Sequence, residues 1–286
     1  MDQRRLWAIC LVKNEDDIIA QTLRHATRYC NRIFVLDNGS TDETWHAVRR
    51  LAEQNKIIVP FARTLESFSD GLRGLVYNAV RGELSDDDWW FILDSDEFLA
   101  EDPRPVIETA VREGAEIIKS WQINFHFTTK DLATWEQGED RRDIPIFDRR
   151  RYYLINWQET RLFRHHPGRT WDVHANRLVP DWLRRVCTRR IMIRHYQFRD
   201  PEQIGKRLRL RYDLRLPGRW SYVESTDWRS AITDLHGLTY HEEGRPWRFT
   251  ASGLLHYYRL AVGYKCNGGA ARLRRFIAGR GRQTAD

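Results

Sequence analysis

Trp89-Trp90-Phe91-Ile92-Leu93 is a short, unbroken apolar run, and Asp94-Ser95-Asp96-Glu97 stands directly behind it. A run this short with no polar alternation predicts a strand buried on both faces, as at the centre of an α/β sheet. In open α/β sheets ligands bind just beyond the carboxyl ends of the strands, so Asp94 and Asp96 are expected at the mouth of a site. Carboxylates with one residue between them can reach a hard divalent cation, and such a cation neutralises a departing diphosphate. A lone Asp-x-Asp more often starts a turn or caps the next helix. Here the neighbouring segments argue against that plainer reading.

Leu6 to Val12 is a second buried-strand pattern, and it runs into Lys13-Asn14-Glu15-Asp16-Asp17, polar residues able to start a helix while facing a ligand. Ile18, Ile19, Leu23 and Ala26 then recur at helical spacing. Arg32-Ile33-Phe34-Val35-Leu36 reads as the next strand, ending in Asp37-Asn38-Gly39-Ser40-Thr41-Asp42-Glu43. Ser40 and Glu43 make a capping-box pattern ahead of a helix bearing Trp45, Val48 and Leu51. Ile57-Ile58-Val59 leads through Pro60 and Arg63 into a helix carrying Leu72, Leu75, Val76, Ala79 and Val80, with Arg73 expected on its exposed side. This alternation predicts an α/β fold with a mostly parallel central sheet flanked by helices.

Three segments now stand in order: Lys13-Asn14-Glu15-Asp16, Val35-Leu36-Asp37-Asn38-Gly39-Ser40-Thr41-Asp42, and Leu93-Asp94-Ser95-Asp96-Glu97-Phe98. In this order and at these separations the chain resembles the bacterial family 2 glycosyltransferases, which have the GT-A nucleotide-sugar-binding fold. The resemblance covers about residues 5 to 200. It implies a nucleoside diphosphate sugar as donor, with UDP favoured, and manganese or magnesium as cofactor. It further implies transfer of the sugar to a hydroxyl of a saccharide or lipid-linked saccharide, as in polysaccharide biosynthesis by a hexosyltransferase.

 The transfer that the resemblance implies is an inverting one. Asn14, Glu15, Asp37, Arg73, Asp94 and Ser95 match the nucleotide-binding side of such sites, Asp37 at the position that contacts the base, and Asp96 matches the direct metal ligand.

Beyond the metal motif, Pro103 to Glu113 predicts a helix and Glu116 to Phe127 a long strand, whereas Thr128 to Gln158 is polar and charged and reads as a mobile loop. Thr160-Arg161-Leu162-Phe163-Arg164 and Gly168-Arg169-Thr170-Trp171-Asp172-Val173-His174 resemble the acceptor half of certain bacterial family members. There an acidic residue follows the histidine, and here Ala175 does. An inverting transfer needs a carboxylate to take the acceptor proton. Asp172 is therefore expected as catalytic base with Glu159 as the alternative, and Trp171 and His174 as acceptor-binding residues. His195 ends the strand pattern from Arg190 to Tyr196. A lone histidine there usually packs or hydrogen-bonds, but the resemblance implies a late histidine in the metal shell, and imidazole with carboxylate oxygen suits manganese.

A chain of 286 residues with 41% hydrophobic content is long enough for one large domain and an appendage. The expected division is a GT-A domain at 1–200 and a helical, basic C-terminal extension at 201–286, with helices at Gln203 to Leu216 and Leu254 to Val262 and an arginine-rich stretch from Ala270 to Arg282. Cys10, Cys30, Cys187 and Cys266 lack zinc spacing and fit a reducing compartment. With no apolar run of membrane-spanning length, a cytoplasmic protein is expected, and the basic helices leave room for peripheral contact at the inner face of a membrane. The net charge of +7 is carried almost wholly by arginine. Without a nucleic-acid-binding motif it gives no reason to expect nucleic acid as a partner. Two other readings stay open: a nucleotidyltransferase of similar fold, for which no glycine-rich phosphate loop with lysine is present, and a non-catalytic basic protein that binds membranes or nucleic acid.

Overall fold

β1 (Leu6–Val12) is buried along its whole length, as a strand covered on both faces must be. In the computed structural model, which describes residues 4–213 and 223–258, it is followed by α1 (Ile19–Ala26), β2 (Arg32–Asp37), α2 (Thr44–Gln54), β3 (Ile58–Arg63), α3 (Arg73–Val80) and β4 (Trp89–Leu93). β1 pairs in parallel with β2 and with β4, and β2 with β3. Alternate residues of these strands feed two cores. Ala8, Cys10, Val35 and Phe91 pack with α1 and α2 on one face, and Trp7, Ile9, Phe34 and Trp90 pack with α3 on the other.

The second half of the sheet is mixed. It is built from β5 (Glu97–Leu99), α4 (Arg104–Glu113), β6 (Ile117–Phe125), α5 (Thr129–Glu136), α6 (Ile146–Arg149), β7 (Tyr152–Arg164), β8 (Ile191–His195), α7 (Pro201–Asp213) and β9 (Thr239–Tyr240). The strand order is β3-β2-β1-β4-β7-β6-β8-β5, with β9 on β7. β7 runs antiparallel to both β4 and β6, β6 runs parallel to β8, and β5 runs antiparallel to β8. The strand-helix alternation therefore built the parallel half, and the long β6-β7 pair added an antiparallel partner to β4.

Two local expectations are corrected, and a third is met as far as the described residues reach. Residues 128–158 are not an irregular loop: they hold α5, α6 and the first half of β7. Thr128 and Asp131 cap α5 reciprocally, and the charges that suggested solvent instead face one another, with Arg149 and Arg150 both paired to Asp140 in the interior. The Ser40–Glu43 capping box does not form, because the Ser40 hydroxyl accepts the Asn14 N–H at 3.0 Å while Asp42 accepts the N–H of Thr44. The basic helix starts at Pro201 and is described to Asp213, residues 251–258 are helical, and 214–216, 259–262 and Ala270 to Arg282 lie outside the described residues. Among the described residues no helix is long and apolar enough to cross a membrane.

One close approach positions the rim of the site. At Gly71, in the turn before α3, a Cβ would lie 2.3 Å from the Ala175 carbonyl oxygen and 2.5 Å from that of Val173. Only glycine lets the 171–176 segment lie against this turn. Gly71→Ala should destabilise the protein by about 1–3 kcal/mol, the usual penalty of overpacking, seen as a lower urea midpoint; an unchanged midpoint would mean that the segment moves away freely.

Candidate active site

Parallel pairing in register brings the carboxyl ends of β1, β2 and β4 together. Asp37, the last residue of β2, is fully buried. Its Oδ1 accepts the N–H groups of Gly39 and Ser40 at 3.0 and 2.9 Å and the Arg63 Nε–H at 3.1 Å. Its Oδ2 has no partner, so one acceptor remains for a ligand donor. Asn14 leaves β1 at φ 54°, a left-handed conformation that asparagine tolerates. Its side-chain oxygen accepts the Thr41 N–H at 2.8 Å and ties the two strand ends together. Ser95 is buried, and its carbonyl accepts the Thr22 hydroxyl.

Asp94 is held from both sides, by Arg73 Nη2 at 2.7 Å and Arg161 Nη2 at 2.8 Å. Arg73, expected on an exposed helix side, is 3% exposed because its guanidinium reaches inward to Asp70 and Asp94. Arg161 also donates to both oxygens of Glu97 and lies 2.9 Å from Glu159 Oε2. Burial opposes ionisation of Asp94, but Arg161 and Arg73 outweigh it and hold the carboxyl below its usual range.

Asp96 faces β8 and α7. Its buried Oδ2 lies 3.1 Å from Arg207 Nη1, 3.6 Å from His195 Nε2 and 3.8 Å from Arg199 Nη1, yet none of these makes a hydrogen bond of good geometry. Burial opposes its charge, and Arg207, His195 and Arg199 together hold the carboxyl well below its usual range. His195 Nδ1 is 2.7 Å from the Asn124 side-chain oxygen, which accepts the Nδ1–H and leaves Nε2 facing Asp96. Arg199 reaches on to Glu15 and Asp17, and Arg207 to Glu15.

Carboxylates outnumber guanidiniums in this cluster: Glu15, Asp17, Asp70, Asp94, Asp96, Glu97 and Glu159 stand against Arg73, Arg161, Arg199 and Arg207. The surplus shows in the direction of two carboxyl groups. Burial pushes Glu15 up to about 7 against the pull of Arg199, and pushes Glu97 up to about 7 against that of Arg161. The sequence reading missed Arg161, Arg199 and Arg207. A helix rich in arginine reads as a solvated basic face, and nothing local marks which arginine turns inward.

The acceptor-side residues divide. Trp171 is 2% exposed, its ring edge-on to Tyr77 and Phe163 and its backbone bonded to Asn78. It is a core residue, so its ring packs in the interior and not where the expected acceptor-binding role needs it. Asp172 and His174 are exposed, and Asp172 Oδ1 accepts the His174 N–H at 2.9 Å. Glu159, by contrast, belongs to the Arg161 cluster.

The sequence profile described as glycosyl transferase family 2 matches residues 8–172. No curated protein matches the chain. Among solved structures it is similar to the mannosyltransferase PcManGT from Pyrobaculum calidifontis in complex with GDP-Man and Mn2+, at 14% identity and TM-score 0.43, over 73% of this chain and 62% of that one. It is also similar to S. aureus TarS 1–349, at 12% identity and TM-score 0.37, over 72% and 64% of the two chains. A third is glucosyl-3-phosphoglycerate synthase from Mycobacterium tuberculosis in complex with phosphoglyceric acid, at 14% identity and TM-score 0.31, over 57% of each. The chain spans less than two thirds of the length of each of these structures.

The raised Glu97 pKa has a measurable consequence. The folded value of about 7 lies above the ordinary 4.5, so the folded state holds a proton that the unfolded state has released. The contribution is full below the unfolded value and is lost as pH rises through the folded one. The stability of the wild type relative to Glu97→Gln should fall between about pH 5 and about pH 7.5. Parallel urea midpoints for the two proteins across that range would show that Glu97 is ionised throughout.

Proposed function

The chain belongs to glycosyl transferase family 2, and on that premise we propose that it transfers a sugar, with inversion, from a nucleoside diphosphate sugar, UDP favoured, to a hydroxyl of a saccharide or lipid-linked saccharide. The observation that carries this reading is the Asp96 Oδ2 beyond the end of β4, buried without a hydrogen bond and 3.6 Å from His195 Nε2. A carboxylate oxygen facing an imidazole nitrogen fits a divalent cation that displaces any proton on Nε2, and carboxylate with imidazole suits manganese. Among the described residues no group of three protein ligands is present; Asp96 and His195 would hold the metal together with oxygens of the donor and water. Bound there, the metal would supply positive charge to the diphosphate. Asp37, through its free Oδ2, takes a base N–H, and Arg73 and Arg161 keep Asp94 turned toward the ribose side.

In the transfer the acceptor oxygen attacks the anomeric carbon, the bond from that carbon to the diphosphate oxygen breaks, and the diphosphate leaves with the electron pair. The acceptor proton passes to a carboxylate. Glu159 suits this role better than Asp172, since it stands within the Asp94–Arg161 cluster, whereas Asp172 caps an exposed turn. Nucleotide release from a panel of nucleoside diphosphate sugars with manganese tests the reaction. Glu159→Gln should lower turnover by about 10²- to 10⁴-fold at unchanged donor affinity, and Asp172→Asn should turn over normally. The reverse pattern would move the base to Asp172.

Arg207 lies closest to the oxygen that the metal would use. Arg207→Gln removes a competing cation and should tighten manganese binding to the protein without substrate, read by titration calorimetry. Asp96→Ala should abolish it. Equal affinity in wild type and Arg207→Gln would mean that Arg207 and the metal do not share Asp96.

A further inference from the structure

A cavity of about 450 Å³ lies on the α3 face of the sheet, between β6, β7 and the 177–184 segment. Its volume is in the range of small-molecule sites. Leu178 and Leu183 give it an apolar wall, and Glu159 stands in its lining. The Glu159 carboxylate lies 2.9 Å from Arg161 Nη2, and the same nitrogen donates to Asp94 at 2.8 Å. The cavity therefore adjoins the carboxylate cluster at the end of β4.

Its charge is opposite to that of the cluster. Lys119, Arg177 and Arg184 line it, and among the described residues none of their three side-chain charges is paired with a carboxylate; the Arg184 guanidinium donates to main-chain carbonyls, and only its main-chain N–H reaches Glu116. Every arginine of the neighbouring cluster is carboxylate-paired. Of the two carboxylates in the lining, Glu159 is matched by Arg161, and Asp181 is exposed. Unmatched cations beside an apolar wall suit a sugar that carries an anionic group such as a phosphate.

We propose that this cavity is the acceptor subsite and that the acceptor is a glycosyl or polyol unit bearing a phosphate, held by Lys119, Arg177 and Arg184 with its hydroxyl toward Glu159. The inference rests on the glycosyl-transfer reading for the identity of the occupant. The positive cavity also keeps the anionic acceptor apart from the carboxylates that the donor requires, so the two substrates are sorted by charge before they meet.

The test is calorimetric titration of the full chain, saturated with UDP and manganese, with glucose 1-phosphate, with its methyl diester and with glucose. Glucose 1-phosphate should bind at least about tenfold more tightly than glucose, the discrimination expected of a charge-assisted contact. Lys119→Ala combined with Arg177→Ala should remove that preference while UDP affinity stays unchanged. Lys119→Gln alone, at the less drastic end, should weaken glucose 1-phosphate in the same direction. Binding of the diester as tight as the monoester assigns a phosphate within a chain or lipid linkage, and preference for the monoester assigns a free sugar phosphate. Equal binding of glucose and glucose 1-phosphate, or an unchanged preference in the double variant, overturns the proposal. If UDP fails to bind at all, it is the glycosyl-transfer reading that fails, and loss of glucose 1-phosphate binding in the double variant without UDP would still locate the phosphate in the cavity.

Discussion

One buried guanidinium organises the site. Arg161 comes in from β7, and its donors spread over Asp94, Glu97 and Glu159. Without it, carboxylates crowded at the end of β4 would repel one another or take up protons. Burial offsets most of what such pairs gain, so an intact cluster adds little net stability, but removing one partner leaves an uncompensated charge at a cost of about 3–5 kcal/mol. The consequence is positional: Asp94 cannot swing away from Arg73 and Arg161 without that penalty, and its geometry is set before any ligand arrives.

Arg199 extends the same logic to the other half of the molecule. Its side chain pairs with Glu15 and Asp17 at the exit of β1, while its carbonyl accepts from Arg149 and Arg150. Those two arginines pair with Asp140, and Arg142 and Arg149 pair with Asp200 at the start of α7. The segment before β7, the start of α7 and the loop after β1 are thus linked through one charged network. Displacement of α7 would shift Arg207 against Asp96, so occupancy at Asp96 and the placement of α7 are coupled through a contact the structure contains.

The proposed donor and acceptor sides follow different electrostatic rules. Around Asp94 and Asp96 negative charge is in surplus, which suits a cation and the diphosphate it carries. Across Glu159 the lining turns positive. Glu159 stands at the boundary of the two regions, where the proposed acceptor hydroxyl would meet it, a division that follows from which strand supplies which charge.

The sequence by itself determined the parallel half of the fold and which carboxylates emerge at its strand ends. Uninterrupted apolar runs at Leu6–Val12 and Trp89–Leu93 can only be strands covered on both faces, and a carboxylate behind such a run must emerge at the strand's carboxyl end. The strand-end placement of Asp37, Asp94 and Asp96 was legible for that reason, because burial and periodicity are local properties of the chain. The inward turn of Arg73, the burial of Trp171 and the ordering of residues 128–158 were not, since each depends on a partner far away in sequence: Asp94, Tyr77 and Phe163, and the Asp140 network. Charge and aromaticity announce a side chain's chemistry, but whether it faces solvent or a buried counter-charge is decided only when distant strands pair, and that is why Arg161, Arg199 and Arg207 became site residues only in the folded structure.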